Sequence, residues 1–379
     1  MLRIALVHSY YSSESPSGEN VTVDAQAAAL VKRGYEVKII GTSTDYLQES
    51  RLYPIRAAVT ASGFGGLDPT NQLRQFNPHI VHVHNQFPNW GTGWMKSWRR
   101  PIVSTLHNYR TICSNALLWR DGHDCVDCLS HGSFQAIKNK CYRNSALSTL
   151  PLAIATRSSG RHSAVLNQSS AIIVLNDAAK EHYNQIIPDA PIYTIPNFSP
   201  HAELQQAHRS PAWIYVGRLT EEKGVGWLAD NWPVNETLTI IGSGPLENYV
   251  RQICLKNPRI QFLGRQSPEA TVNNISKSRG LVLPSMWSEG IPTVALEALQ
   301  TATPILISDA CSSARRLVAG GAGEIFISGD ITSLRQAMSS VKTAPDSYSH
   351  QAAVNYEKSF SENAWLDNIS KVYQSVLSK

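Results

Sequence analysis

Pro284-Ser285-Met286-Trp287-Ser288-Glu289-Gly290-Ile291-Pro292-Thr293-Val294-Ala295-Leu296-Glu297-Ala298-Leu299 is the stretch on which the fold turns. It follows Leu281-Val282-Leu283, an apolar run that reads as a buried strand. A loop carries the chain to Gly290, and Pro292 suits the first turn of a helix, where its missing N–H deprives no partner. The amides of Gly290 and Ile291 then point out of a positive helix end, a place for an anion or for polar sugar oxygens. Glu297 falls inside the helix among Leu296, Ala298 and Leu299. A buried carboxylate needs hydrogen-bond donors, and vicinal hydroxyls would supply them. The plainer alternative is that Glu297 faces solvent from an amphipathic helix.

The same strand–loop–helix rhythm runs outward in both directions. Strands are expected at Ile4-Ala5-Leu6-Val7, Val37-Lys38-Ile39-Ile40, 79–84, 102–106, 171–175 and 192–195, with a helix over 21–33 that stops at Gly34. Pro196, Pro200 and Pro211 punctuate a polar stretch over 197–210, where a linker belongs. Strands resume at Trp213-Ile214-Tyr215-Val216, 237–241, 260–263, 281–283, 305–307 and 324–326, and residues 362–377 form a closing amphipathic helix. Length agrees, since 379 residues suit two domains of about 150–200 each. The expectation is an α/β protein with two Rossmann-like domains, their parallel sheets facing across a cleft that takes the ligand. The boundaries expected are 1–200 and 201–361, with 362–379 packing back on the first domain.

Two more loops of the second half carry chemistry. Gly217-Arg218-Leu219-Thr220-Glu221-Glu222-Lys223-Gly224 puts a guanidinium and an ammonium on one turn after a strand. A diphosphate needs such a fork and point charge. Gly242-Ser243-Gly244-Pro245 follows another strand, and its glycines let backbone amides face a ligand. Either loop alone also fits an ordinary surface turn.

Taken together, these parts resemble glycosyltransferase family four, the retaining GT-B group. The resemblance rests on Glu289-x7-Glu297, on the G-R-L-x-x-x-K-G run, on His107-Asn108 after a first-domain strand, and on Ile195-Pro196-Asn197-Phe198 before the linker. It covers nearly the whole chain. It implies that Arg218 and Lys223 bind a diphosphate, that Glu289 holds donor-sugar hydroxyls, and that Gly290, Ile291 and Pro292 line the sugar and phosphate. Glu297 would hold the ribose, Gly244 would border the donor, and Glu289 and His107 would stand at the reacting centre. The implied activity is transfer of a hexose-type sugar, with retention and without a metal, from a UDP- or GDP-sugar to a glycan or lipid-linked acceptor. The pathway implied is polysaccharide or lipopolysaccharide assembly. A sugar-nucleotide epimerase or a phosphorylase on the same fold is the competing enzyme reading.

The first half is less explicit. Ser17-Gly18-Glu19-Asn20 stands where relatives carry a Gly-rich loop near the donor phosphates, but with one Gly rather than two. Gly18 is either a close-approach point or a plain turn residue. His82 and His84, alternating along a strand, read as structural or supporting residues. Cys113, Cys125, Cys128 and Cys141 lie in an insertion over 113–141, and the C-x2-C pair suggests a structural zinc tetrathiolate. Reduced thiols in a core are the alternative.

Trp90, Trp94 and Trp98 recur every four residues and read as a core face, with a membrane-facing stripe as the other option. Residues 1–200 hold 18 Lys+Arg against 13 Asp+Glu, so the whole +5 net charge resides there. That asymmetry suits an anionic acceptor or an anionic membrane surface. No aromatic RNA-binding motif accompanies it, which argues against nucleic acid. No run of about 18 apolar residues is present to span a bilayer. The expectation is a cytoplasmic protein that touches the inner face of the membrane.

Overall fold

The computed structural model describes residues 1–13, 18–199 and 209–378. Ser17 and the stretch 200–208, which includes Pro200 and the expected boundary at 200/201, lie outside the described residues, as does Lys379.

Fourteen strands are named in chain order among the described residues. They are β1 (Arg3–Tyr10), β2 (Glu36–Ser43), β3 (Ile80–Val83), β4 (Ile102–Leu106), the short β5 (Trp119–Arg120) and β6 (His123–Asp124), β7 (Ala171–Val174) and β8 (Ile192–Thr194). Then follow β9 (Trp213–Val216), β10 (Leu238–Ile241), β11 (Ile260–Gly264), β12 (Gly280–Leu283), β13 (Ile305–Ser308) and β14 (Gly323–Phe326). One parallel sheet has the order β2-β1-β3-β4-β7-β8, and a second has the order β11-β10-β9-β12-β13-β14. β5 and β6 form a small ribbon inside the Cys-rich insertion, which the hydropathy pattern did not announce.

The chain divides into two compact units. One comprises Met1–Arg120, Cys125–Pro196 and Leu366–Lys379; the other comprises Asp121–Asp124 and Asn197–Trp365. In the first, Ile4, Leu6, Val81 and Ile172 are fully buried, because a sheet covered by helices on both faces admits continuous apolar runs. The helix Glu362–Leu377 contributes its later turns to this unit, where Tyr373 Oη meets His82 Nδ1 at 2.7 Å and Asp367 pairs with Arg33 at 2.5 Å. In the second, Ile214, Leu281, Leu296, Leu299 and Ile305 share one core with Tyr356 and Phe360.

Strand order reverses beside the central strand of each sheet. In the second unit β9 lies between β10 and β12, so the loops after these three strands emerge side by side at the carboxyl edge. In the first unit β1, β3 and β4 do the same. Loops at such a reversal are where open α/β sheets hold ligands, since the chain leaves in opposite directions and opens a crevice.

Candidate functional site

In the second unit the loop after β9 is stitched to its neighbours by backbone. Leu219 N donates to Ser243 O at 2.9 Å, Leu246 N to Leu219 O at 2.9 Å, and Met286 N to Glu222 O at 2.8 Å. Gly224 is held at φ +69°, and a Cβ there would sit 2.0 Å from Pro284 O. Only glycine permits that approach, which brings Lys223 against the loop after β12. Gly244, expected to border a ligand, packs on Leu219; an added Cβ would lie 2.6 Å from its carbonyl oxygen.

The two approaches put Lys223 Nζ in an ion pair with Glu289 Oε1. Ser285 Oγ donates to Glu289 Oε2 at 2.8 Å, and the Glu289 carbonyl accepts from Ser312 Oγ at 2.6 Å. The Lys223 ammonium stands 5.6 Å above the Trp287 ring. Both members of the pair are mostly hidden, at 16% and 11% side-chain exposure. The Arg218 guanidinium is 63% exposed, with Glu222 3.3 Å away, and is free to turn toward an anion. Glu297 is half-buried in the helix Thr293–Gln300, and burial pushes its carboxyl up to about 7. Ser285, Trp287 and Ser312 were not expected as site residues. Ser285 and Trp287 stand within the quoted stretch but carry no spacing signal, and Ser312 comes from a separate strand end.

One local expectation is corrected. Pro292 does not begin the first turn; it is the residue before it, at φ −61° and ψ 124°. Its extended ψ closes the loop, so the helix amides belong to Thr293 and Val294, and Gly290 and Ile291 are loop residues.

In the first unit a cavity of about 280 Å³ opens at the carboxyl ends of β3 and β4, lined among others by Glu19, His84, Gln86, His107, Asn108 and Arg110. His84 Nδ1 and His107 Nε2 are 3.0 Å apart, and the His82, His84 and His107 rings stack in sequence. Burial lowers all three, His82 and His107 to about 3, so the imidazoles stay neutral at neutral pH. His107 can exchange hydrogen bonds there but is not a resident cation. Glu19 is pushed by burial up to about 7, partly offset by Arg110. Among the described residues the Gln86 amide is buried with no hydrogen-bond partner, as are His84 Nε2 and Arg110 Nε. Unpartnered polar atoms around a cavity suit a polar ligand. Gly18 opens the helix Gly18–Lys32.

Cys113, Cys125, Cys128 and Cys141, expected as a zinc tetrathiolate, lie near enough that Cys113 and Cys125 help to raise the thiols of Cys128 and Cys141. All four are free thiols, and among the described residues no group of three or more His, Cys, Asp or Glu is placed to hold a metal ion. Cys113 Sγ donates to Asn115 Oδ1 at 2.9 Å, and burial pushes the Cys128 thiol up to about 12. The insertion is tied by the Arg120–Asp127 pair at 2.9 Å and by the Arg110 guanidinium, which donates to the Ser114 carbonyl. Trp90 and Trp94 are buried and Trp98 packs on the same core, so the tryptophan stripe is not a surface.

Two six-stranded parallel sheets, the second bearing this Lys–Glu loop pair, define the chain as an α/β protein of the GT-B class. The family model described as Glycosyltransferase Family 4 matches residues 16–201, and the one described as Glycosyl transferases group 1 matches residues 210–343. The chain belongs to the family-four type of glycosyltransferases.

Its similarity to individual proteins is more distant. It is 34% identical over 104 residues to an uncharacterised glycosyltransferase of Methanocaldococcus jannaschii, covering 25% of this chain and 26% of that one. It is 24% identical over 339 residues to D-inositol 3-phosphate glycosyltransferase of Nocardia farcinica, covering 77% and 69%. Among solved structures it is similar to sucrose-phosphate synthase of Thermosynechococcus elongatus, at TM-score 0.66 and 15% identity over the whole of both chains. A lipopolysaccharide outer core galactosyltransferase gives TM-score 0.63 at 17% identity over 99% of each chain. These structural likenesses carry the fold.

Proposed function

We propose that this chain transfers a hexose-type sugar from a nucleotide-sugar, UDP- or GDP-linked, to a glycan or lipid-linked acceptor, with retention, in assembly of a cell-surface polysaccharide or lipopolysaccharide. The observation that carries the proposal is the Lys223–Glu289–Ser285 constellation in one loop cluster with exposed Arg218 and half-buried Glu297. Breaking a sugar–phosphate bond leaves negative charge on the departing diphosphate. Arg218 and Lys223 supply fixed positive charge to meet it, so the reaction asks for no resident cofactor. Glu289 then accepts from sugar hydroxyls, and Glu297 from those of the ribose. The loop amides of Gly290 and Ile291, with Pro292 fixing the chain beyond them, border the sugar.

In the first unit, the neutral His107, with Asn108, Arg110 and Gln86, offers hydrogen bonds to an acceptor. The protein works at the cytoplasmic face of the membrane.

Thermal shift against UDP-, GDP-, ADP- and TDP-sugars, followed by product analysis with the stabilising donor, tests this. Stabilisation by one diphosphate donor and formation of a glycoside with retained configuration are expected. Isomerised donor or sugar 1-phosphate as product would replace the reading with epimerase or phosphorylase. Lys223→Ala is expected to weaken nucleotide binding, and unchanged affinity would count against the donor assignment.

A further inference from the structure

The helices Tyr53–Ala61 and Ala146–Ala155 pack against each other and turn their apolar stripes outward. A surface helix normally buries such a stripe. Here the helix Tyr53–Ala61 buries no residue, and Leu52, Ile55 and Val59, at helical spacing, are 55%, 64% and 45% exposed. On its neighbour Leu147 and Leu150 are 83% and 42% exposed. The short helix Phe134–Lys138 packs beside the second of these and exposes Phe134 at 81%. Phe64, 73% exposed, follows the first, with the Arg157 guanidinium 5.9 Å over its ring.

Charge within these segments has one sign, with Glu49, Asp68 and Asp127 at their edges. No Asp or Glu occurs between residues 50 and 67 or between 128 and 176, whereas Arg51, Arg56, Lys138, Lys140, Arg143 and Arg157 fall within those spans and are all exposed. Large apolar side chains interleaved with cations and free of carboxylates match a bilayer interface whose headgroups are anionic. A protein partner would ordinarily be met by charges of both signs. Position adds a reason, since Thr60, Phe64 and Arg157 of this face also line the first-unit cavity that holds His107 and Arg110.

We propose that this helical face docks the protein on an anionic membrane surface, so that the cavity opens toward acceptors anchored in that membrane. The proposal rests on reading the first unit as the acceptor side.

Flotation of the whole protein with phosphatidylcholine vesicles containing about one third phosphatidylglycerol tests it. Expected are binding to these vesicles, little binding to pure phosphatidylcholine, and release as salt rises to about 0.5 M. The Ile55→Asp/Leu147→Asp variant changes only solvent-facing side chains and is expected to lose about tenfold or more of the vesicle-bound fraction. Arg56→Glu/Arg143→Glu is expected to lose a similar share. Melting temperature and nucleotide-induced stabilisation of both variants should match the parent, which separates this test from that of the donor site.

Failure of the parent to float with anionic vesicles would overturn the proposal. So would equal binding to neutral vesicles, or undiminished binding by the Asp variant. A dimer that the Asp variant dissolves, without vesicle binding, would assign the face to a second copy instead.

Discussion

Glu289 and Glu297 stand eight positions apart on one strand–loop–helix segment, yet their surroundings differ in kind. Glu289 sits against an ammonium and a hydroxyl, whereas burial alone governs Glu297. Replacing Glu289 by Gln keeps its shape and removes its charge. We expect turnover to fall on the order of 10²–10³-fold, the scale for loss of one preorganised electrostatic partner, and steady-state kinetics measures this. At Glu297 a carboxyl titrating near 7 accepts ribose hydrogen bonds fully only when ionised. Nucleotide affinity should therefore weaken as pH falls from 8 to 6, and Glu297→Gln should flatten that dependence while lowering affinity about tenfold at pH 8. Calorimetric titration across that range checks both, and an equally steep profile in the variant would remove Glu297 from the site.

Among elements, the loop after β9 depends on close backbone contact. Gly224→Ala would push a methyl to 2.0 Å from Pro284 O and force a left-handed φ on alanine. The two costs together are about 2–4 kcal/mol, and the strain falls on the contact that joins Lys223 to Glu289. A lower melting temperature together with lost donor binding is expected, by thermal denaturation and nucleotide titration. The Gly at this position was visible in the sequence as part of a Gly-flanked turn, but its contact was not. Which carbonyl it meets depends on β12 lying beside β9, a pairing of segments more than sixty residues apart.

Over the whole molecule, acid stability follows from the buried histidines. His82, His84 and His107 refuse protons in the folded state that the unfolded chain takes up below pH 6.5, so each destabilises the fold as pH drops. Glu19 and Glu297 act oppositely: their folded carboxyls bind protons from about pH 7, the unfolded ones only near 4.5. His8 and His79 are lowered as well, so the histidines withhold more protons than the two carboxyls take up early, and stability should fall as pH drops from 6.5 to 4.5. Below 4.5 both carboxyls are protonated in either state, and the loss should steepen toward pH 3. Denaturant unfolding at several pH values measures the slope, and one of the opposite sign would contradict the buried, neutral histidine stack.

Hydropathy and loop chemistry in the sequence alone determined the two parallel sheets, the loop pair carrying Lys223 and Glu289, and the closing helix. Each is written in local periodicity and in residues adjacent along the chain. Tertiary structure alone decided that Lys223 grips Glu289, that Pro292 ends the loop instead of starting the helix, and that the tryptophans face inward while Ile55 and Leu147 face outward. Those outcomes depend on which distant segments become neighbours, and an apolar stripe of given period looks the same in sequence whether a core or solvent lies against it.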